Sequence, residues 1–171
     1  MSSIKIELDD SKARAKLDAI NSAAGDMHPV FATIGRALAS RIRLCFKLGI
    51  DPWGSPWAAL KIRRGQPLRD SGRLMRSITA KPDSTGVTVG TNVKYARTHQ
   101  QGATIKPRSK PMLAFPGPGG RMIFAKKVTI PARPFLPIRK GVDAVALPPE
   151  WSLDVTRALR AYFINSGNKG G

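Results

Sequence analysis

The stretch that decides the fold runs from Leu68 to Gly102 and reads LRDSGRLMRSITAKPDSTGVTVGTNVKYARTHQQG. Ser71 stands just before a short segment of helical spacing, Gly72–Ser77, and its hydroxyl suits a helix cap. Two β-type runs follow, Ile78–Lys81 and Val87–Val89, and the Pro, Asp, Ser, Thr and Gly between them favour a turn. The stretch therefore predicts a short helix followed by a β-hairpin.

The end of this stretch predicts one more turn of helix. Tyr95, Ala96, His99 and Gln100 have helical spacing, and Gly102 suits the C-terminus of the turn. We expect the turn to lie beside the hairpin, with the side chain of His99 hydrogen-bonded so that it holds the two together.

Upstream, the longest helix is predicted from Pro29 to about Leu48, because proline suits a first helical turn and an apolar stripe follows at helical spacing. The stripe consists of Val30, Ile34, Leu38, Ile42 and Cys45. The opposite face carries Arg36, Arg43 and Lys47, which form either a solvated face or a contact surface for an acidic partner or DNA.

Further contact candidates lie around this helix. Arg41 projects on its apolar side, where a charge needs a partner, so it is predicted to mark the rim of a subunit contact. Trp53 lies in a proline-restricted loop and is predicted at a subunit interface, whereas Trp57 is assigned to the domain's own core. The basic turn that follows adds Arg63 and Arg64 to the candidate contacts with an acidic partner or DNA.

Downstream, two apolar runs, Met112–Phe115 and Met122–Ile130, flank the sequence PGPGG and predict a hairpin with a flexible tip. The glycines do not indicate a phosphate-binding loop, because no Gly-Lys-Ser/Thr and no helix follow them. A hairpin this apolar is expected to be covered by a neighbouring subunit. Its subunit-interface candidates are Phe115, Met122 and Phe124.

Both ends of the chain are predicted to be largely helical. Ile4, Ile6 and Leu8 alternate with charged residues, which indicates an edge strand before a first helix that ends at Gly25. Prolines at 148 and 149 introduce a C-terminal helix, and residues 166–171 are predicted to form a flexible tail.

Helical periods at the ends and strand periods in the middle predict an α+β fold. We expect a small, mainly antiparallel sheet with the Pro29–Leu48 helix packed across it, an extended β-hairpin and terminal helices. A chain of 171 residues suits one core, so residues 1–165 are predicted to form a single domain.

The composition indicates the chemistry of the partner. The chain has 29 Lys and Arg against 11 Asp and Glu, a formal charge of +18, which favours nucleic acid or acidic protein subunits. Cys45 is the single cysteine, so no internal disulfide can form. Residues 1–10 lack the pattern of a secretion signal, and no apolar run approaches about 18 residues. We therefore expect synthesis in the cytoplasm and no contact with a membrane.

Enzymatic function is not expected. His28 and His99 are far apart in sequence, and neither stands in a metal-ligand spacing. Asp70, Ser71 and His99 could be arranged as a triad, but Ser71 is better explained as a helix cap and no nucleophile elbow is present. No catalytic residue, cofactor or metal site is predicted.

Three motifs in the order LRDSGRLMRSI, GVTVGTNVKYARTHQQG and IPARPFL resemble the phage virion morphogenesis, or tail completion, family of Mu-like tailed bacteriophages. The resemblance covers about residues 51–138, and it departs from the family at Gln101, where an aromatic or bulky residue is usual. It implies structural roles for the motif residues Leu68, Ser71, Gly72, Leu74, Tyr95, His99, Gly102, Arg133, Pro134 and Phe135.

By this resemblance the chain is expected to be a non-enzymatic virion protein that forms a ring, most simply a hexamer, at the head–tail junction. The implied partners are further copies of itself, neighbouring neck, connector and tail-tube proteins, and passing DNA contacted without sequence specificity. The alternative is a basic cytoplasmic nucleic-acid-binding protein without sequence specificity. The sequence favours the virion protein, because its cations are spread over almost every segment and no recognition helix or pair of base-stacking aromatics is present.

Overall fold

A computed structural model describes residues 11–61, 64–138 and 147–168. The strand predicted at residues 4–8 and the side chain of Arg63 lie outside these ranges. The described helices are α1 (Ser11–Gly25), α2 (His28–Leu48), α3 (Arg73–Arg76), α4 (Ala96–Gln101) and α5 (Pro149–Asn168). The described strands are β1 (Thr79–Pro82), β2 (Val87–Gly90), β3 (Ala103–Ile105), β4 (Leu113–Pro116), β5 (Met122–Ala125) and β6 (Val128–Ile130).

Helix α2 is the central element, as the sequence predicts. Pro29 lies in its first turn, and Gly49 ends it in the left-handed conformation (φ 75°) while donating its N–H to the Cys45 carbonyl at 2.8 Å. The buried face of the helix contains Val30, Ile34, Gly35, Ala39, Ile42, Cys45 and Phe46. The predicted apolar stripe is therefore the side that enters the core.

The predicted hairpin forms from β1 and β2, which pair antiparallel with Thr79 opposite Gly90. Its turn is held by Asp83, whose Oδ1 accepts the backbone N–H groups of Thr85 and Gly86 at 2.8 Å each. Hydrogen bonds from the hydroxyl and the backbone of Thr85 lower the pKa of this carboxyl. Local turn chemistry thus fixes the hairpin register.

The hairpin packs directly against α2. At Gly35 a Cβ would lie 2.7 Å from Val87 Cγ2 and 2.8 Å from Ala80 Cβ, so only glycine allows this close approach. Helices α1 and α5 pack against each other, and α5 also packs on α2, where it buries Trp151. Helix α5 continues to Asn168, so the predicted tail is helical at residues 166–168.

The second predicted hairpin contains two ladders of paired strands instead of one. Strand β4 pairs with β5 and strand β3 pairs with β6, both antiparallel. The run Met122–Ile130 is therefore two strands, because seven residues (106–112) lie opposite only two (126–127) and no continuous register can span them. We call residues 103–130 the arm.

The structure confirms the α+β class. Its described strands form three separate two-stranded antiparallel ribbons rather than one sheet. The core lies between α2, the β1–β2 hairpin and the extended segment around Phe135. Its completely buried large side chains are Phe46, Phe135, Ile42 and Ile78.

Candidate functional site

Arg133 holds the third motif, IPARPFL, against the body of the protein. Its side chain is only 5% exposed, and its guanidinium donates hydrogen bonds to the carbonyls of Ala58 (2.8 Å) and Ala59 (3.1 Å). Its backbone N–H donates to the His99 carbonyl at 2.7 Å. A buried cation that donates to neutral carbonyls connects three distant segments of the chain. Arg133 therefore has a structural role, as its motif position implies.

Gln100 binds the backbone of the same segment, a role that the sequence pattern did not predict. Its Oε1 accepts the backbone N–H groups of Phe135 (2.9 Å) and Leu136 (3.0 Å), and its Nε2 donates to the Leu136 carbonyl at 3.0 Å. The segment that it binds is extended and rich in proline, so its backbone groups need side-chain partners. That proline content was the available signal.

The aromatic residue of the same motif completes the core. The ring of Phe135 lies 5.2 Å from that of Phe46, which in turn contacts Trp57 edge-on at 5.5 Å. The indole N–H of Trp57 donates to the Pro134 carbonyl at 2.7 Å. The prediction that Trp57 belongs to the domain core is confirmed.

The first motif forms a tight turn ahead of α3. Gly72, not Ser71, occupies the helix-cap position, with φ 72°, and it brings no side-chain cap. Ser71 still contributes its Oγ, which accepts the N–H of Arg73 at 3.3 Å. Leu74 is buried in the core, and Leu68 is held at φ 59°, a left-handed conformation that is unusual for a branched side chain.

The second motif ends at Gly102, where the backbone requires glycine. Gly102 has φ 71°, and a Cβ there would lie 2.8 Å from Ala132 N and 3.0 Å from Ile130 O. Tyr95 contacts the His99 ring edge-on, with ring centroids 5.7 Å apart. Helix α4 is hydrogen-bonded to the segment around Arg133, and among the described residues no hydrogen bond joins it to the hairpin.

The prediction that the His99 side chain is hydrogen-bonded is wrong. Its Nδ1 is buried without a hydrogen-bond partner, and burial together with the nearby charge of Arg133 lowers the pKa of the imidazole. The ring lines a cavity of about 430 Å³, which Asp70 and Ser71 also line. No hydrogen bond joins these three described side chains, so the arrangement lacks the connected relay of a catalytic triad.

The cations predicted to face a partner differ in their surroundings. Arg43 is half-buried and donates to the Ile78 carbonyl at 2.6 Å, which corrects its placement on a free helix face. Arg36 is exposed and donates to the Thr33 hydroxyl at 3.0 Å. Lys47 and Arg64 are exposed. Lys47 and Arg36 therefore remain the exposed cations of α2 among those candidates.

Arg41 finds its partner within the chain. Its Nη2 and Nε lie 2.7 and 2.8 Å from Asp154 Oδ2 on α5, and its Nη1 lies 3.5 Å from Glu150 Oε2. The ion pair joins α2 to α5. Because Arg41 has a partner within its own chain, its charge alone no longer predicts a subunit contact.

Arg41 nevertheless lines a cleft together with Trp53, the other interface candidate of the body. We call this cleft, about 450 Å³ in volume, the Trp53 cleft. Its apolar walls include the exposed Leu44 and Leu48, and its charged groups are Arg41, Asp51 and Glu150. The cleft is thus apolar with a slight excess of negative charge, in a chain whose formal charge is +18.

The arm presents the opposite combination. It contains six Lys and Arg and no Asp or Glu, and none of its 28 residues is buried. Pairing of Phe115 with Ile123 places both on one face, whereas Met122 and Phe124 lie on the other face and are 53% and 64% exposed. Of the predicted interface residues of the hairpin, Met122 and Phe124 are therefore available for contact, whereas Phe115 is half-buried.

Within the described ranges, no helix combines the length and apolarity needed to cross a membrane. Nor do the described side chains include a group of three or more His, Cys, Asp or Glu that could hold a metal ion.

All three motifs lie within the part of the chain that matches a known family. Residues 8–146 match the sequence profile of the phage virion morphogenesis family. The chain is also similar to Mu-like prophage FluMu G protein 2 of Haemophilus influenzae (strain ATCC 51907 / DSM 11121 / KW20 / Rd), with 32% identity over 161 residues. This match covers 94% of the chain and 96% of the relative. No solved structure matches significantly.

Proposed function

We propose that this chain, which belongs to the phage virion morphogenesis family, completes the tail or neck of a tailed phage and is needed to join tail to head. The observation that carries the proposal is the family match over residues 8–146, together with the similarity of nearly the whole chain to a Mu-like prophage protein. The working form is a homo-oligomeric ring, most simply a hexamer, located at the head–tail junction of the virion.

Two features of the surface support a ring. The exposed apolar side chains of the arm need cover, and a two-stranded ribbon is only marginally stable alone in water. A contact between two different surfaces of neighbouring copies closes into a ring when its rotation divides a full turn. The arm is one such surface, and it lies away from the core of its own chain.

The proposed role needs no enzymatic activity. Asp70, Ser71 and His99 meet at one cavity without a connecting hydrogen bond, and the motif residues Arg133 and Phe135 hold the fold together. The neighbours of the ring would be connector and tail-tube proteins. The large positive charge suits contact with acidic surfaces on those proteins.

The test is to disrupt the gene for this chain in the phage that encodes it and to examine the lysate by electron microscopy. Filled heads and separate tails are expected, with joined particles restored by the wild-type chain supplied in trans. As a matched pair, a chain with Arg133→Ala should fail to restore particles because its fold is weakened, and a chain with Arg108→Ala should succeed. Joined, infectious particles without the protein would contradict the proposal.

One observation favours the nucleic-acid alternative, namely the six cations of the arm without an acidic residue. Binding to phosphates releases counterions, so such binding would weaken steeply as salt is raised. Both functions predict duplex binding without sequence preference, so the disrupted gene separates them. If the chain serves as a nucleic-acid-binding protein, joined particles should form without it, while the purified protein still binds duplex DNA in a salt-dependent way.

A further inference from the structure

We infer that the arm of one copy docks in the Trp53 cleft of the next copy, which identifies the two surfaces of the ring contact. This inference rests on the proposed ring. It joins the arm strands β4 and β5 of one copy to the cleft between α2 and α5 of the next copy.

The arm requires an apolar partner. Met122 and Phe124 lie on one face of β5, the cations Arg121 and Lys126 flank this strand in sequence, and all four are exposed. The arm strands pack extensively only on each other in the described structure. Aromatic, methionine and arginine side chains are enriched at the centres of protein interfaces, which favours a protein over phosphate as the occupant of this face.

The charge of the arm restricts where it can dock on a second copy. The arm carries +6 of the formal charge of +18, so the rest of the chain carries the difference, +12. Most of that surface would repel the arm. The cavity beside His99, for example, is lined by Arg73 and Arg133 against a single Asp70.

The Trp53 cleft meets both requirements. Its carboxylates Asp51 and Glu150 outnumber its one arginine, Arg41, which is already paired with Asp154. Glu150 is well placed to receive a cation, because its side chain is 80% exposed and its only described ion-pair partner lies 3.5 Å away. The neighbouring Leu44 and Leu48 leave apolar surface for Met122 and Phe124 to cover.

Docking of unlike surfaces also explains why the contact can propagate around a ring. Each copy offers one arm and one cleft, so every copy can donate to one neighbour and receive from the other. If the arm packed on the arm of another copy, six cations would face six cations and repel one another.

Disulfide trapping tests the contact directly. One chain with Leu48→Cys is mixed with another with Phe124→Cys and oxidised, so that only a contact between copies can give the heterodimer. The control pairs Phe124→Cys with Leu17→Cys on α1, because Leu17 and Leu48 are equally exposed (60% and 59%). Cys45 is replaced by Ala in every chain, because it lines the same cleft one helical turn from position 48.

We expect at least about tenfold more heterodimer from the Leu48 pair than from the Leu17 pair. Adding Glu150→Lys to the Leu48 chain should reduce the yield by about tenfold, and Lys126→Glu with Lys127→Glu in the arm should restore it. Asp18→Lys, the same change of charge on exposed α1, should leave the yield unchanged. Circular dichroism of each variant shows that it is folded.

Equal yields from the two pairs, or no heterodimer from the Leu48 pair, would overturn the inference. An arm that binds an acidic neck protein or DNA instead would give that result. The proposed virion function is judged separately, because it is decided by the particles formed in the phage. If joined particles depend on the protein while the Leu48 pair fails to link, the function stands and this contact is wrong.

Discussion

At the scale of single residues, the fold depends on side chains that satisfy the backbone of the proline-rich segment. Gln100 bonds three backbone groups of Phe135 and Leu136, and Arg133 bonds two carbonyls at positions 58 and 59. These are long-range contacts, which no local spacing encodes. They connect the second motif to the third, because Gln100 supplies the groups that the backbone of Phe135 and Leu136 needs.

Gln100→Ala should therefore destabilise the chain. Two partly buried N–H groups lose their acceptor, and each such loss costs about 1–3 kcal/mol, so we expect the free energy of unfolding to fall by about 2–4 kcal/mol. Urea unfolding measures the change. Gln101→Ala is the control, because that exposed side chain bonds only Arg97 (3.2 Å) on the same helix. A loss as large at Gln101 would contradict the assignment.

His99 should make stability depend on pH. Burial and the charge of Arg133 place its folded pKa below the usual value of about 6.5, so the unfolded chain binds the proton more readily. Its contribution is complete above about pH 6.5 and is lost as the pH falls through the folded pKa.

Urea unfolding at neutral and mildly acidic pH should show this loss, and His99→Gln should reduce it. His28→Gln provides the matched control, since His28 is exposed at the start of α2. An identical pH dependence in the wild-type chain and the His99 variant would argue against the assignment.

At the scale of elements, the close approach of α2 to the β1–β2 hairpin depends on Gly35. Gly35→Val would place atoms within 2.7–2.8 Å of Val87 and Ala80, so the hairpin must shift, and we expect a loss of about 2–3 kcal/mol of unfolding free energy. The control is Gly90→Val on β2, where a Cβ has open space. Thermal unfolding measures the stability of both variants. Equal stability of the Gly35 and Gly90 variants would contradict the requirement for glycine at position 35.

Local patterns allowed several elements to be predicted, and non-local contacts explain the remainder. The apolar stripe of α2, its glycine end and the turn at Asp83 each reflect chemistry within a few residues. The division of Met122–Ile130 into β5 and β6 does not, because it depends on the length of the opposite strand. The same holds for the candidate site: the exposed apolar arm was predicted, but the partner of Arg41 on α5 and the cleft around it were not.

At the scale of the whole molecule, the charge of +18 governs association. Apparent affinity for duplex DNA should fall steeply as salt is raised and should be similar for unrelated sequences. Changing Arg108, Lys110 and Lys126 to Gln should reduce the salt dependence, since fewer phosphates are neutralised. Fluorescence anisotropy across a salt series measures both quantities, and a site bound far more tightly than its scrambled version would contradict the expectation.

As a structural part of the virion, the protein should be present in finished particles. The most direct measurement is its copy number in purified, infectious particles, determined by mass spectrometry against isotope-labelled peptides of this chain. We expect a small fixed number, about six per particle for a hexameric ring, that withstands washing in high salt. Infectious particles that contain none of the protein, with all of it left in the lysate bound to nucleic acid, would contradict a structural role in the virion.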